Sequence, residues 1–197
     1  TFQMGDSRLM PEDLYMDAGG NLADCIFGLN DIASVFSERG KSAIFAQMDS
    51  LIPYLKNNFG SDIRKISFAT GPSEENYMPF TGNFGGLGAC GKYRGVGDYS
   101  QVAVAAWRSH LGRLYGGGNA VPFRIDGNFY TTNTAPLPRI NPMSSADNVF
   151  VDTSREDIRQ AILFWNWGVF NIWNGVRQKV KQLSTFPFEI YIADFFN

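Results

Sequence analysis

The sequence has few of the residues on which most catalytic and metal sites depend. Its 197 residues include one histidine, His110, and two cysteines, Cys25 and Cys90, which lie far apart. Two cysteines are too few for a disulfide framework, although a single Cys25–Cys90 bridge can form. One histidine and two distant cysteines give no set of metal ligands at a usable spacing. We therefore expect neither a metal nor a cofactor.

The sequence also lacks a large net charge and long apolar runs. The formal net charge of −2 is too small to indicate a nucleic-acid partner. No apolar run approaches the ~18 residues of a membrane-spanning helix. No basic-then-apolar signal peptide opens the chain, and no Asn-X-Ser/Thr glycosylation acceptor occurs. The sequence begins at Thr1 rather than at methionine, as a processed chain would, which favours an extracytoplasmic or organellar location.

Aromatic residues are abundant, whereas charged residues are few. Aromatic residues make up 15% of the chain, with seventeen Phe, and charged residues make up 18%, against about 25% in average globular domains. Interface cores lose charged residues and gain aromatic ones. The composition is therefore typical either of a surface covered by a partner or of a densely filled single core.

The aromatic residues concentrate in a segment of helical periodicity near the C-terminal end. Apolar residues recur every three or four positions over 158–183, which predicts one long helix with a continuous apolar face. That face consists of Ile158, Ile162, Trp165, Val169, Ile172, Val176, Val180 and Leu183. Ser154 and Asp157 predict a capping box at its start. Between Ala161 and Trp173 the other sides are also apolar, so we expect neighbours on both sides of the helix. The candidate partner-binding residues are Trp165, Trp167, Phe170 and Trp173.

The first half of the chain favours helices. The pattern predicts one helix from Asn21 that ends near Gly40, and a second that begins at Ser42. Pro53 is expected to kink or restart the second helix, and Gly60 to stop it. A short strand is predicted over 63–69.

The second half mixes several kinds of segment. A glycine-rich stretch over 81–97 precedes a helix that begins at Ser100 and ends at three glycines, 116–118. An extended stretch over 121–130 turns at Asp126-Gly127, and alternation over 186–196 predicts a closing strand. The resulting fold class is α+β. An N-terminal helical lobe over 1–78 precedes a mixed strand and helix region over 79–197, in part barrel-like, with a long aromatic-rich C-terminal helix, all in one compact unit.

Cys25, His110 and Asp126 are the only residues that could supply a thiol nucleophile, a base and an orienting acid. Cys25 would lie in the first turn of a predicted helix, where the helix dipole favours the thiolate. The alternative is that Cys25 is a small buried apolar side chain. His110 lies one turn after Trp107 on an apolar helix, which favours a packing role. A cysteine hydrolase is therefore only an alternative function.

One segment resembles a known family. Phe84-Gly-Gly-Leu-Gly-Ala-Cys-Gly-Lys92, followed by Asp98-Tyr-Ser-Gln-Val-Ala-Val-Ala-Ala-Trp107, resembles the start of double-psi β-barrel domains of the expansin and RlpA-like type. Those domains carry a Gly-Ala-Cys-Gly turn and then an Asp-x-x-Val-Ala-Leu segment. The resemblance covers residues 84–107 only, and the second cysteine of the family is missing. It implies an extracytoplasmic carbohydrate-binding or wall-loosening module, with Asp152 at its acidic position.

The sequence thus supports three hypotheses about function. We favour a non-catalytic structural or assembly subunit that docks through its Trp-rich helix onto a partner protein, a copy of itself or a membrane surface. Tryptophan and phenylalanine anchor interfaces, and tryptophan also lies at the level of lipid headgroups. The alternatives are a polysaccharide-binding double-psi β-barrel module and a cysteine hydrolase that uses Cys25 and His110.

Overall fold

The computed structural model describes residues 10–16, 18–20, 33–68, 97–140 and 152–190. A short 3-10 turn at Pro11–Asp13 precedes three α-helices. These are α1 (Glu38–Phe59), α2 (Gln101–Tyr115) and α3 (Glu156–Leu183). Two short strands, β1 (Ile66–Phe68) and β2 (Phe188–Ile190), pair in parallel, with Ile66 opposite Phe188. Both strands lie within segments for which the sequence predicts strands.

The prediction of an α+β fold with a barrel-like region is wrong. The three helices span 22, 15 and 28 residues, whereas the strands found in the described ranges have three residues each. A single pair of that length provides no sheet surface on which a core could be built. The stretch 121–130 makes only isolated bridges around its turn, and its buried residues Val121 and Ile125 belong to a core shared with the helices. The predicted domain boundary at residue 78 lies outside the described residues.

Helix α1 begins earlier than predicted and is not interrupted. Its N-cap is Ser37, whose Oγ accepts a hydrogen bond from the Gly40 amide, so Gly40 lies inside the helix where an earlier helix was expected to end. Pro53 also lies inside α1, so the helix does not restart there. An interior proline costs a helix about 3 kcal/mol, and the packing of α1 side chains on α3 offsets that cost. Gly60 ends the helix, as predicted.

Helix α2 follows its sequence signals closely. Ser100 is the N-cap, and its Oγ accepts a hydrogen bond from the Ala103 amide. Gly116 ends the helix with a φ of 89°, a value that favours glycine because other side chains clash with the backbone there. Both bounds were predicted.

Helix α3 covers the predicted segment, and every position of its predicted apolar face is buried or half-buried. The predicted capping box is wrong. The N-cap is Arg155, and no side chain caps the helix. Ser154 donates its hydroxyl hydrogen to Asp152 instead, while Asp157 accepts hydrogen bonds from Arg155 and from the backbone amide of Asp126.

Helix α3 passes through two hydrophobic clusters. Its first half packs against α2 and the segment 119–140, and its second half packs against α1. The first cluster includes Trp107, Leu111, Val121, Ile125, Leu137, Ile158, Phe164 and Trp165. The second includes Met48, Ile52, Ile172, Trp173, Val176 and Val180. A single helix therefore joins the two halves of the core.

The chain approaches α3 very closely at Gly168. The Phe36 ring stacks on Phe164, with centroids 4.4 Å apart and planes 2° from parallel. A Cβ atom added at Gly168 would lie 2.5 Å from that Phe36 ring. Glycine in mid-helix costs about 1 kcal/mol relative to alanine. Here the absence of a Cβ atom at Gly168 leaves room for the Phe36 ring.

Candidate functional site

Helix α3 leaves the middle of one face uncovered. Leu163 is 55% exposed, Trp167 39% and Phe170 62%. Residues spaced by four and then three positions lie on one side of a helix, so these three side chains form one stripe. We call Leu163, Trp167 and Phe170 the apolar patch. Large apolar side chains in such a group are typical of an interaction surface.

The structure separates the four residues predicted to bind a partner. Trp167 and Phe170 belong to the apolar patch, whereas Trp165 and Trp173 are buried, at 0% and 5% exposure. Trp165 donates its Nε1–H to the Asp98 carbonyl, as an interior tryptophan must when its donor is removed from water. Sequence reasoning missed Leu163, although its spacing of four residues before Trp167 is a signal that could have identified it.

The Trp167 ring is held in place by its neighbours. The His110 ring lies 5.6 Å from it and the Phe164 ring 6.3 Å, between centroids. The Arg113 guanidinium lies over Trp167, 5.1 Å from the ring centroid, which is a cation–π geometry. A ring that is already ordered loses little conformational entropy when a partner covers it. The part of the patch that faces α2 is therefore already ordered before a partner binds.

His110 supports this arrangement by packing. It is half-buried and has ring contacts with Trp107, Phe164 and Trp167. Burial lowers the pKa of His110, and the charge of Arg113 lowers it further. A histidine with a lowered pKa is neutral at pH 7. The His110 imidazole therefore does not repel the Arg113 guanidinium.

The predicted catalytic set is not assembled among the described residues. The carboxylate of Asp126 accepts hydrogen bonds from Arg155 and from the Arg139 amide, while the neighbours of His110 are aromatic rings. Cys25 lies outside the described residues, as does Cys90, so the predicted disulfide stays a prediction.

The cluster around Arg155 has a structural role. Its Nη2 atom lies 2.8 Å from Asp126 Oδ1 and 2.6 Å from Asp157 Oδ2. Burial alone would raise the pKa of Asp157, but the hydrogen bonds from Arg155 and the Asp126 amide outweigh it, so the pKa is lowered. Asp126 has a φ of 48° at the turn. The cluster therefore ties this turn to the start of α3.

Asp98 forms a second polar site, and it is fully buried. Its Oδ2 accepts a hydrogen bond from Ser34 Oγ at 2.5 Å. Its Oδ1 accepts hydrogen bonds from the amides of Ser100 at 2.9 Å and Met16 at 3.4 Å. Burial raises the pKa of Asp98 to about 6, although these hydrogen bonds oppose the rise. The carboxylate joins three segments distant in sequence and has no open side for a substrate.

Asp152, the acidic position that the family resemblance implies, lies exposed in the turn before α3. Its Oδ1 accepts hydrogen bonds from the amide and hydroxyl of Ser154, and these bonds lower its pKa. Most of the resembling segment, residues 84–96, lies outside the described residues. In the ranges described, no three His, Cys, Asp or Glu side chains are grouped as metal ligands.

None of the helices in the described ranges is long and apolar enough to cross a membrane. The apolar patch on α3 is the candidate functional site, because its three large side chains are exposed on one helix face and the Arg113 guanidinium lies at its edge. No family model, curated protein or solved structure matches this chain.

Proposed function

We propose that the protein is a non-catalytic assembly subunit that docks onto a protein partner through the apolar patch. The observation that carries the proposal is the exposure of Leu163, Trp167 and Phe170 on one stripe of a helix whose other sides are packed. Tryptophan and arginine are the residues most enriched among interface hot spots. Here both types lie in contact, with Trp167 at the centre of the stripe and Arg113 of α2 at its edge.

The expected contribution of the patch is large enough to matter. Full burial of a large apolar side chain is worth about 1.5–3 kcal/mol, and these side chains are roughly half exposed. Covering them would contribute about 1 kcal/mol each, or about 3 kcal/mol together, which corresponds to more than a hundredfold in affinity. The ordered Trp167 ring lowers the entropic cost of binding.

The shape of the patch favours a protein over a lipid surface. From 163 to 170 the stripe is only about 10 Å long at 1.5 Å per residue. The polar side chains of Asn166, Asn171 and Asn174 border it. A helix that lies in a membrane interface presents a longer apolar face, whereas a short apolar centre with a polar rim is the usual anatomy of a protein interface.

Site-specific photo-crosslinking tests the proposal. Benzoylphenylalanine replaces Phe170 in one variant and Phe129 in the control; Phe129 is 68% exposed and lies in the stretch 121–130, outside the patch. We expect a protein adduct from position 170 alone, and we expect Leu163→Ser to reduce its yield. Adducts from neither position, or equally from both, would contradict docking through the patch. Sedimentation of the chain with vesicles of phosphatidylcholine and phosphatidylserine, lost in Phe170→Ser, would instead show a membrane partner.

A further inference from the structure

We propose that the protein partner is a second copy of this chain, and that the two α3 helices pair in antiparallel orientation across the apolar patch. The inference rests on the proposed function and specifies its partner. It starts from the spacing of the uncovered positions on α3. A series of positions on α3 follows at alternating intervals of four and three, and each of them is exposed or half-buried. These are positions 156, 160, 163, 167, 170, 174, 177 and 181. That spacing is the seam of a coiled coil.

The seam is apolar at its centre and oppositely charged at its two ends. The apolar patch occupies the middle, and amide side chains occupy positions 160 and 174 on either side. Glu156 lies at the N-terminal end, whereas Arg177 and Lys181 lie at the C-terminal end. In the described part of the chain, neither Arg177 nor Lys181 has a carboxylate within ion-pairing distance. These cations are available for a carboxylate of another molecule.

This pattern is complementary to itself in one register. If Trp167 faces Phe170 of the second copy, the two-fold axis passes between positions 168 and 169. Glu156 then faces Lys181 of the second copy, because these two positions are equally distant from the same midpoint. Position 160 faces Arg177 and Leu163 faces Asn174 in the same way, so the apolar contact is centred on Trp167 and Phe170. The pairs repeat on the other side of the axis, as in any isologous dimer.

The parallel alternative is unfavourable on the same grounds. It would place Glu156 against its own copy at one end, and Arg177 and Lys181 against theirs at the other. Like charges in facing positions destabilise a helix pair. The antiparallel pair also sets the helix dipoles in opposite directions, so that each end of α3 faces the opposite partial charge. Charge complementarity therefore favours a second copy in antiparallel orientation.

Glu156 is accessible for this contact. Its side chain is 38% exposed, and its present partners are Arg159 and Gln160 on its own helix. Surface pairs of this kind contribute little, so an exchange for Lys181 of the second copy costs little. The apolar centre supplies most of the affinity, and the charged ends select the register.

Sedimentation equilibrium over a range of protein concentrations tests the inference. We expect the wild-type chain to reach twice its monomer mass of 21.9 kDa. Phe170→Ser should weaken the dimer by about thirtyfold, because the change removes two rings from a symmetric interface. The matched control Phe129→Ser should dimerise like the wild type. Circular dichroism of each variant establishes that its helices are intact.

A charge exchange tests the register itself. Lys181→Glu and Glu156→Lys should each weaken the dimer by about tenfold, since two pairs are lost in each case. The double variant should recover an affinity within about threefold of the wild type. A wild-type chain that stays monomeric, or a double variant no tighter than the single ones, would overturn the antiparallel pair.

The outcomes separate the inference from the proposed function. If the chain is monomeric but position 170 crosslinks to a protein of another mass, with the adduct reduced in Leu163→Ser, docking stands and the second copy is wrong. If position 170 crosslinks to nothing and the chain is monomeric, both proposals fail.

Discussion

Replacement of the buried carboxylate of Asp98 by an amide should change the pH dependence of folding. The two amides that bond Oδ1 can keep their acceptor in Asp98→Asn, since the side-chain carbonyl occupies the same place. The new Nδ2–H₂ group can donate to Ser34 Oγ, which lies 2.5 Å from the present Oδ2. The variant therefore resembles the protonated form of Asp98, with a similar shape and no charge.

The magnitude follows from the raised pKa. The pKa of Asp98 rises from 3.8 to about 6 on folding because the group is buried, which corresponds to about 3 kcal/mol. A raised pKa means that the folded chain binds the proton more tightly. The resulting stabilisation is complete below pH 3.8 and is lost as the pH rises through about 6. Asp98→Asn has no proton to lose at this position, so its free energy of unfolding relative to the wild type should rise by about 2 kcal/mol from pH 4 to pH 7.

Urea unfolding followed by tryptophan fluorescence measures this difference. His110 has a lowered pKa and so acts in the opposite direction; comparing the variant with the wild type at each pH cancels its effect. Asp98→Ala is the control for the hydrogen bonds, because it also lacks the carboxylate but leaves three buried donors without an acceptor; it should be about 2–4 kcal/mol less stable than Asp98→Asn at every pH. If the free energies of unfolding of Asp98→Asn and wild type differ by the same amount at pH 4 and pH 7, the account of Asp98 is wrong.

Two further substitutions test contacts of α3. Gly168→Ala should cost about 2 kcal/mol in urea unfolding, because its Cβ would lie 2.5 Å from the Phe36 ring; Gly117→Ala, where nothing lies within 4 Å, is the control. Equal costs at the two glycines would contradict the packing described. Arg155→Gln should cost about 2 kcal/mol at pH 7, since it removes the cation bonded to buried Asp157. Because the pKa of Asp157 is lowered, that cost should shrink as the pH falls below about 4; a cost independent of pH would refute this role.

Local sequence signals predicted the bounds of α2 and the buried face of α3. Ser100 and Gly116 mark the ends of α2 because capping and positive φ depend on the residue itself. The buried face of α3 was predicted because apolar residues that recur every three or four positions lie on one side of a helix. Pro53 was misjudged because its cost to α1 is offset by side chains of α3 that lie more than a hundred positions away. The stretch 121–130 was predicted to be extended with a turn at Asp126-Gly127, and the turn is found there, with a positive φ at both residues.

The candidate site was predicted only in part. The sequence identified Trp167 and Phe170 as binding residues, but it could not separate them from Trp165 and Trp173. All four lie in a stretch that is apolar on nearly every side, and the sides that are covered depend on where the distant helices α1 and α2 pack. The edge of the patch at Arg113 depends on the same crossing of α2 and α3. Such contacts are long-range, and no local pattern specifies them.

The place of α3 in the chain order has a consequence for biosynthesis. Both hydrophobic clusters are completed by this helix, which is made after α1 and α2. While the ribosome is still making residues before 156, the apolar faces of both earlier helices have no permanent cover. At about 5–20 residues per second, that interval lasts several seconds. We therefore expect the nascent chain to expose apolar surface until α3 leaves the exit tunnel and can complete both clusters.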